Sequence, residues 1–216
     1  VIGLSVGAKQ QLDVLALGAH ADDVEIGAGG LILELLEAGR IASLSWVVLA
    51  ADGPRADEAK RSAETMIGGR APLAIEISSF RERYFPHQPE IKEAFDDLGR
   101  RLKPDLVIGP RLEDRHQDHR TVAELAWQTF RGSLIVEYEI PKFEGDLGNP
   151  NLFVPLSAAT LDRKVEHLMA AFPSQLERAW YTPETFRGLA RIRGIESASE
   201  SGYAEGFTAR KVVIRT

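Results

Sequence analysis

The chain has 216 residues, no cysteine and a formal net charge of -6. This excludes disulfides, thiolate metal sites and a cysteine nucleophile, and the acidic balance speaks against nucleic acid or an anionic membrane as a partner. No apolar run reaches the roughly 18–20 residues of a membrane span, and the first residues lack the basic region and apolar core of a secretory signal. A cytoplasmic protein with a single domain, 1–216, is therefore the expectation.

Residues 1–11 read as a lead-in. Leu12 to Gly18 is a short, nearly continuous apolar run, the pattern of a strand covered on both faces. Ala28 to Ala38 reads as a helix with Leu31, Ile32, Leu35 and Leu36 in one stripe and Gly39 as its cap. A second strand follows at Ile41 to Ala50, ended by Asp52-Gly53-Pro54, then a helix at Ala56 to Ile67 and a third strand at Ala74 to Phe80. Pro89 to Leu102 is an amphipathic helix, Leu106 to Gly109 a fourth strand, and the helix after His116 carries the stripe Val122, Leu125, Ala126, Thr129 and Phe130. Leu134 to Ile140 is a fifth strand and Pro141 to Pro155 an irregular loop. Ser157 reads as the N-cap of a helix through Phe172, and Thr182-Pro183 opens a helix ending at Gly194. Phe207 to Ile214 suggests a last strand. Strands alternating with helices at this spacing predict an α/β fold with a Rossmann-like, mostly parallel sheet flanked by helices. The core layer is expected over 12–140, with a loop, helices and a final strand over 141–216 shaping the substrate site.

The ionisable residues concentrate where such a sheet binds its ligands, beyond the carboxyl ends of the strands. His20, Asp22, Asp23 and Glu25 follow the first strand, Asp52 and Arg55 the second, and His116, Asp118 and His119 the fourth. So many charges after a buried strand are costly unless paired or holding a metal. Imidazole and carboxylate without thiol suit Zn2+, and also Fe2+ or another divalent ion. Two adjacent carboxylates permit a division of labour, one on the metal and one taking a proton from water. Of two histidines three apart, one can bind metal while the other meets a developing oxyanion, and Asp118 can fix the tautomer of a neighbouring histidine.

His20-Ala21-Asp22-Asp23-Val24-Glu25 and His116-Gln117-Asp118-His119 resemble the two signatures of the PIG-L/LmbE family of zinc-dependent N-deacetylases. The one departure in the first is Ala21, where the family usually has proline. The resemblance implies removal of acetate from an N-acetylated amino sugar, a GlcNAc-type conjugate. It implies His20, Asp23 and His119 as zinc ligands, Asp22 as general base, His116 at the oxyanion or the leaving amine, and Asp118 orienting a histidine. Arg55 is the nearest match to the family's substrate-contacting arginine. A small amino-sugar molecule is the implied partner, and a homo-oligomer is open. Two other readings compete: a metal-dependent phosphoesterase acting on a sugar phosphate, and a non-catalytic sugar-binding protein of the same fold.

Other features have plainer readings. Gly27-Ala28-Gly29-Gly30 fails the dinucleotide pattern, because Ile32 stands where its last glycine is needed, and instead allows close helix–sheet approach. Glu25 reads as a supporting carboxylate, His87 as an exposed loop histidine and His167 as structural. Arg187, Arg191 and Arg193 read as a solvated helix face, with a substrate wall as the alternative, and Tyr203 and the 141–155 loop as lid candidates.

Overall fold

The computed structural model describes residues 9–213. Strand β1 (Leu12–His20) lies inside the sheet with a hydrophobic core on each side. Leu12, Val14 and Ala16 face one core, and Leu15, Leu17 and Ala19 face the other. Both faces being covered is the physical reason for the uninterrupted apolar run.

The remaining elements follow in alternation. They are α1 (Asp23–Glu37), β2 (Ile41–Ala50), α2 (Gly53–Ile67), β3 (Leu73–Ile77), α3 (Pro89–Arg101), β4 (Leu106–Pro110), α4 (Gln117–Thr129) and β5 (Leu134–Tyr138). Then come β6 (Leu152–Pro155), α5 (Ala158–Ala171), α6 (Pro183–Glu196) and β7 (Ala204–Ala209). Among the described residues they form one seven-stranded sheet in the order β3-β2-β1-β4-β5-β7-β6. The first five strands are parallel, while β7 runs antiparallel to both β5 and β6. The apolar faces of α1, α2, α5 and α6 fill one core, and those of α3 and α4 the other. Because β1 has β2 on one side and β4 on the other, the chain order reverses between β1 and β4. That is the crevice where an open α/β sheet accepts its ligand.

Several boundaries differ from the sequence-based expectation, for identifiable reasons. Helix α1 starts at Asp23, not Ala28, so Asp23 and Glu25 are helical and only Ala21-Asp22 turn the chain. Acidic residues in a first helical turn are favoured by the helix dipole. The four residues Leu152–Pro155, expected as loop, pair as an edge strand with β7. A strand this short carries no readable period, and its partner lies some fifty residues on. The last strand is Ala204–Ala209 rather than 207–214; residue 214, like the lead-in residues 1–8, falls outside the described residues. The expected N-cap forms, Ser157 accepting from the Thr160 N–H, and at the expected helix start Thr182 accepts from the Thr185 N–H.

The glycines at the start of α1 let it sit hard against the sheet. A Cβ on Gly27 would fall 2.3 Å from the Tyr138 ring on β5, whereas one on Gly29 would meet nothing closer than 3.4 Å. Tyr138 cannot swing away freely, since its buried hydroxyl donates to Leu17 O at 2.8 Å. Gly27→Ala is therefore expected to cost about 1–3 kcal/mol through overpacking. Gly29→Ala should be neutral or stabilise by up to about 1 kcal/mol through helix propensity. Equilibrium denaturation of the two variants checks this, and equal midpoints would refute the close approach.

Candidate metal and active site

The turn after β1 and the first turn of α1 deliver His20, Asp22 and Asp23 to the crevice, and the entry into α4 delivers His116, Asp118 and His119. Three donor atoms converge. His20 Nδ1 lies 3.2 Å from His119 Nε2. Asp23 Oδ2 lies 3.5 Å from the first and 3.3 Å from the second. Asp23 is itself fixed, its Oδ2 accepting the His20 backbone N–H at 2.8 Å. Tetrahedral ligands at about 2.0–2.2 Å from a metal stand about 3.3–3.6 Å apart, so this triangle fits a divalent ion.

The surroundings fit it too. A metal-bound imidazole commonly sets its other nitrogen against a carboxylate. Here His20 Nε2 faces Asp118 Oδ2 at 3.2 Å, and His119 Nδ1 faces Asp114 Oδ2 at 3.0 Å. Asp118 is anchored by the N–H groups of Arg83, at 2.6 Å, and Phe85, at 3.2 Å. Arg83 takes up a left-handed backbone (φ 68°), a strained state for a non-glycine residue. Asp114 spans both histidines, since its Oδ1 accepts the His116 N–H at 2.8 Å.

The charge states express one demand, for positive charge between these carboxylates. Burial works against protonation of His20 and His119, yet Asp23 overcomes it, lifting them to about 10 and about 9 with help from Asp118 and Asp114 respectively. Burial likewise opposes ionisation of Asp23, but the two imidazoles hold it well below the ordinary carboxylate range. A metal cation meets the same demand as the protons do.

His116 is placed differently. Its ring lies 4.8 Å from that of His20 and 5.0 Å from that of His119, centre to centre. Its Nδ1 accepts the Asp118 backbone N–H at 3.3 Å. Burial, then the two neighbouring imidazoles, push its pKa down. A neutral ring accepting at Nδ1 carries its proton on Nε2. The three histidines also offer nitrogens within 4.8 Å of one another. That set is looser than the 3.2–3.5 Å triangle with Asp23, which is the better cage.

Asp22, beside this triangle in the chain, has a different partner. Its Oδ1 pairs with Arg55 at 3.0 Å, and Arg55 also donates to Ser174 Oγ at 3.3 Å. Ser174 is held by Glu58, which accepts from its N–H and its hydroxyl. Burial raises the pKa of Asp22, and Arg55 opposes that rise. Glu25 lies fully buried beneath the site, accepts from Ser62 Oγ, and is pushed by burial up to about 8. Ser62 in turn meets His167 Nε2 at 2.8 Å.

The seven residues to which the resemblance assigns roles, His20, Asp22, Asp23, Arg55, His116, Asp118 and His119, thus stand at one end of β1, β2 and β4. Others were missed. Asp114 is one that the sequence reading passes over, although an acid two residues before His116 is its signal. Lys142 and Asp146, from the connection after β5, join Asp114 and had no signal. The helix-face reading of Arg193 is overturned: it is buried, forked onto Glu139 at 2.6 and 2.7 Å and bonded to Gly148 O at 3.0 Å. Arg187 pairs with Asp162 and Arg191 with Gly202 O, while His87 is exposed on a single turn beside α4. A groove of about 580 Å³ lies between that turn and α4.

Comparison with known proteins gives a consistent pattern. Residues 15–130 match the PIG-L family, described as GlcNAc-PI de-N-acetylase. The conserved protein TT1542 from Thermus thermophilus is 23% identical and superposes with a TM-score of 0.76, over 95% of this chain and 98% of that one. The N,N'-diacetylchitobiose deacetylase from Pyrococcus horikoshii is 22% identical with a TM-score of 0.71, over 92% and 83%. The 4-carboxy-2-hydroxymuconate hydratase GalB from Pseudomonas putida is 18% identical with a TM-score of 0.72, over 94% and 98%. At these identities the structures share a fold with this chain.

Proposed function

The chain belongs to the PIG-L family, and from that premise we propose that it is a metal-dependent N-deacetylase, hydrolysing the acetamide of an N-acetylated amino sugar of GlcNAc type. The observation that carries the reading is the triangle of His20 Nδ1, Asp23 Oδ2 and His119 Nε2, with sides of 3.2–3.5 Å, flanked by Asp22 and His116. These three residues would hold the ion. Two imidazoles and one carboxylate favour Zn2+, or Fe2+, over the oxygen-seeking Mg2+ of a phosphoesterase.

When bound, the ion supplies Lewis acidity, polarising the amide carbonyl and making water more acidic. The remaining work falls to side chains of this chain. Asp22 takes the proton of the attacking water as the water oxygen bonds to the carbonyl carbon. His116 donates from Nε2 to the tetrahedral oxyanion, its tautomer set by the Asp118 N–H on Nδ1. The C–N bond then breaks, the proton held by Asp22 passes to the leaving nitrogen, and acetate and a free amine depart. Asp118 and Asp114 keep the rings of His20 and His119 in register. Arg55 steadies Asp22 and, with 29% of its side chain exposed, offers further N–H groups to the substrate.

The test is acetate release across N-acetyl amino-sugar conjugates, with and without a chelator. We expect release that the chelator abolishes and Zn2+ or Fe2+ restores. The fold also carries hydratase chemistry in the Pseudomonas relative, and a fold does not fix a reaction. Metal-loaded protein that hydrates an unsaturated acid or cleaves a sugar phosphate, and releases no acetate, would overturn the proposal. Among the described residues no helix is long and apolar enough to cross a membrane.

A further inference from the structure

The connection after β5 reaches back to the site through Lys142 and Asp146. Lys142 is 90% buried, its side chain being 10% exposed, and its ammonium lies between two carboxylates that are 3% and 5% exposed. Lys142 Nζ donates to Asp114 Oδ2 at 2.9 Å and to Asp146 Oδ1 and Oδ2 at 2.8 and 3.1 Å. A longer contact, 3.4 Å, reaches Ile140 O. The oxygen of Asp114 that meets Lys142 is the one that meets His119 Nδ1 at 3.0 Å. Asp146 closes the arrangement by accepting the Arg115 N–H at 2.7 Å, one residue before His116.

We propose that Lys142, held by Asp146, is a positioning residue for His119, acting through Asp114 to fix the ring that the metal requires. This rests on the assignment of His119 as a ligand. The argument is one of charge and lone pairs. Asp114 Oδ2 accepts from two sides, and the two donors together set its position. Remove the ammonium, and Asp114 and Asp146 become two buried carboxylates facing each other without a cation between them, which drives them apart. Of the two, Asp114 is the one bonded to the ligand ring, at 3.0 Å from His119 Nδ1, so its shift reaches His119 directly. A loop remote in sequence thereby helps determine how tightly the metal is held, although none of its residues touches the metal triangle.

The experiment measures Zn2+ affinity by chelator competition and the visible spectrum of the Co2+-substituted protein. The comparison is wild type against Lys142→Met, Lys142→Arg, Asp146→Asn and His119→Ala. Lys142→Met is expected to weaken Zn2+ binding by about 10–100-fold, the range for groups that support a ligand from outside, and to alter the Co2+ spectrum. Lys142→Arg keeps the charge and should recover most of the affinity; Asp146→Asn should weaken it in the same direction by less. If Lys142→Met fails to fold, Asp146→Asn decides alone. Wild-type affinity and spectrum in the Lys142 and Asp146 variants, with only the melting of the metal-free protein lowered, would show a loop staple and overturn the inference. Wild-type affinity in His119→Ala would instead overturn the ligand assignment, so the two failures are distinguishable.

Discussion

Asp22→Asn is expected to yield a folded protein that binds metal as wild type does and turns over about 10²–10⁴-fold more slowly. The two adjacent aspartates divide because the backbone changes state between them. Asp22 ends the two-residue turn after β1, whereas Asp23 is the first residue of α1. Their side chains accordingly diverge: Asp23 Oδ2 meets both ring nitrogens, while Asp22 Oδ1 meets Arg55 at 3.0 Å. Asparagine has nearly the shape of aspartate and retains an oxygen for Arg55, so the pocket keeps its form and loses a proton acceptor. The checks are metal content by elemental analysis and the rate constant for acetate release at saturating substrate. A wild-type rate would remove Asp22 as the base. Loss of metal would move it into the ligand set. Asp23→Asn is the counterpart, expected to lose metal first and activity as a consequence.

How far this site could be read before any coordinates follows from the range of each interaction. The runs His20 to Glu25 and His116 to His119 are local, and the apolar strands before them are continuous because both faces of β1 and β4 are covered. Chain order alone then brings the two runs to one crevice. What escaped depends on pairings across the chain. Arg193 sits among arginines on a helix and looks solvated, until Glu139, 54 residues earlier, is found under it. Lys142 and Asp146 lie in a stretch whose composition says only loop. Asp23 and Glu25 fall before the expected start of the helix at Ala28 because the apolar stripe that marks it begins only beyond them, at Leu31. Strand β6 and the true start of β7 were hidden for a related reason: Ala204, Glu205 and Gly206 have no strand-like character, and pairing with β6 alone makes them one.

Glu205 is the extreme of that class and supports the other large expected effect. It is a buried carboxylate on a strand, aimed into the middle of a helix. Its two oxygens accept the N–H groups of Gly30 and Leu31, each at 2.7 Å. Those donors belong to the interior of α1, where each would ordinarily bond the carbonyl four residues back. For Gly30 that carbonyl is Ile26 O, and Lys164 Nζ from α5 donates to it at 2.6 Å while pairing with Glu205 Oε1 at 2.6 Å. Gly30 is what admits the carboxylate, since a Cβ there would lie 2.8 Å from it. Removing one member of such a pair leaves the other charge buried alone, at about 3–5 kcal/mol. Lys164→Met should therefore lower the melting temperature by about 6–20 °C for a domain of this size, and Glu205→Leu should do the same. The double variant is expected to be more stable than either single one. With both charges gone, Ile26 O and Gly27 O remain as helical partners for the N–H groups of Gly30 and Leu31, since α1 is helical along its whole length. Chemical denaturation of the four proteins measures the coupling directly. Costs that simply add would mean that carboxylate and ammonium stabilise this helix independently, and the account of a single inserted ion pair would fall.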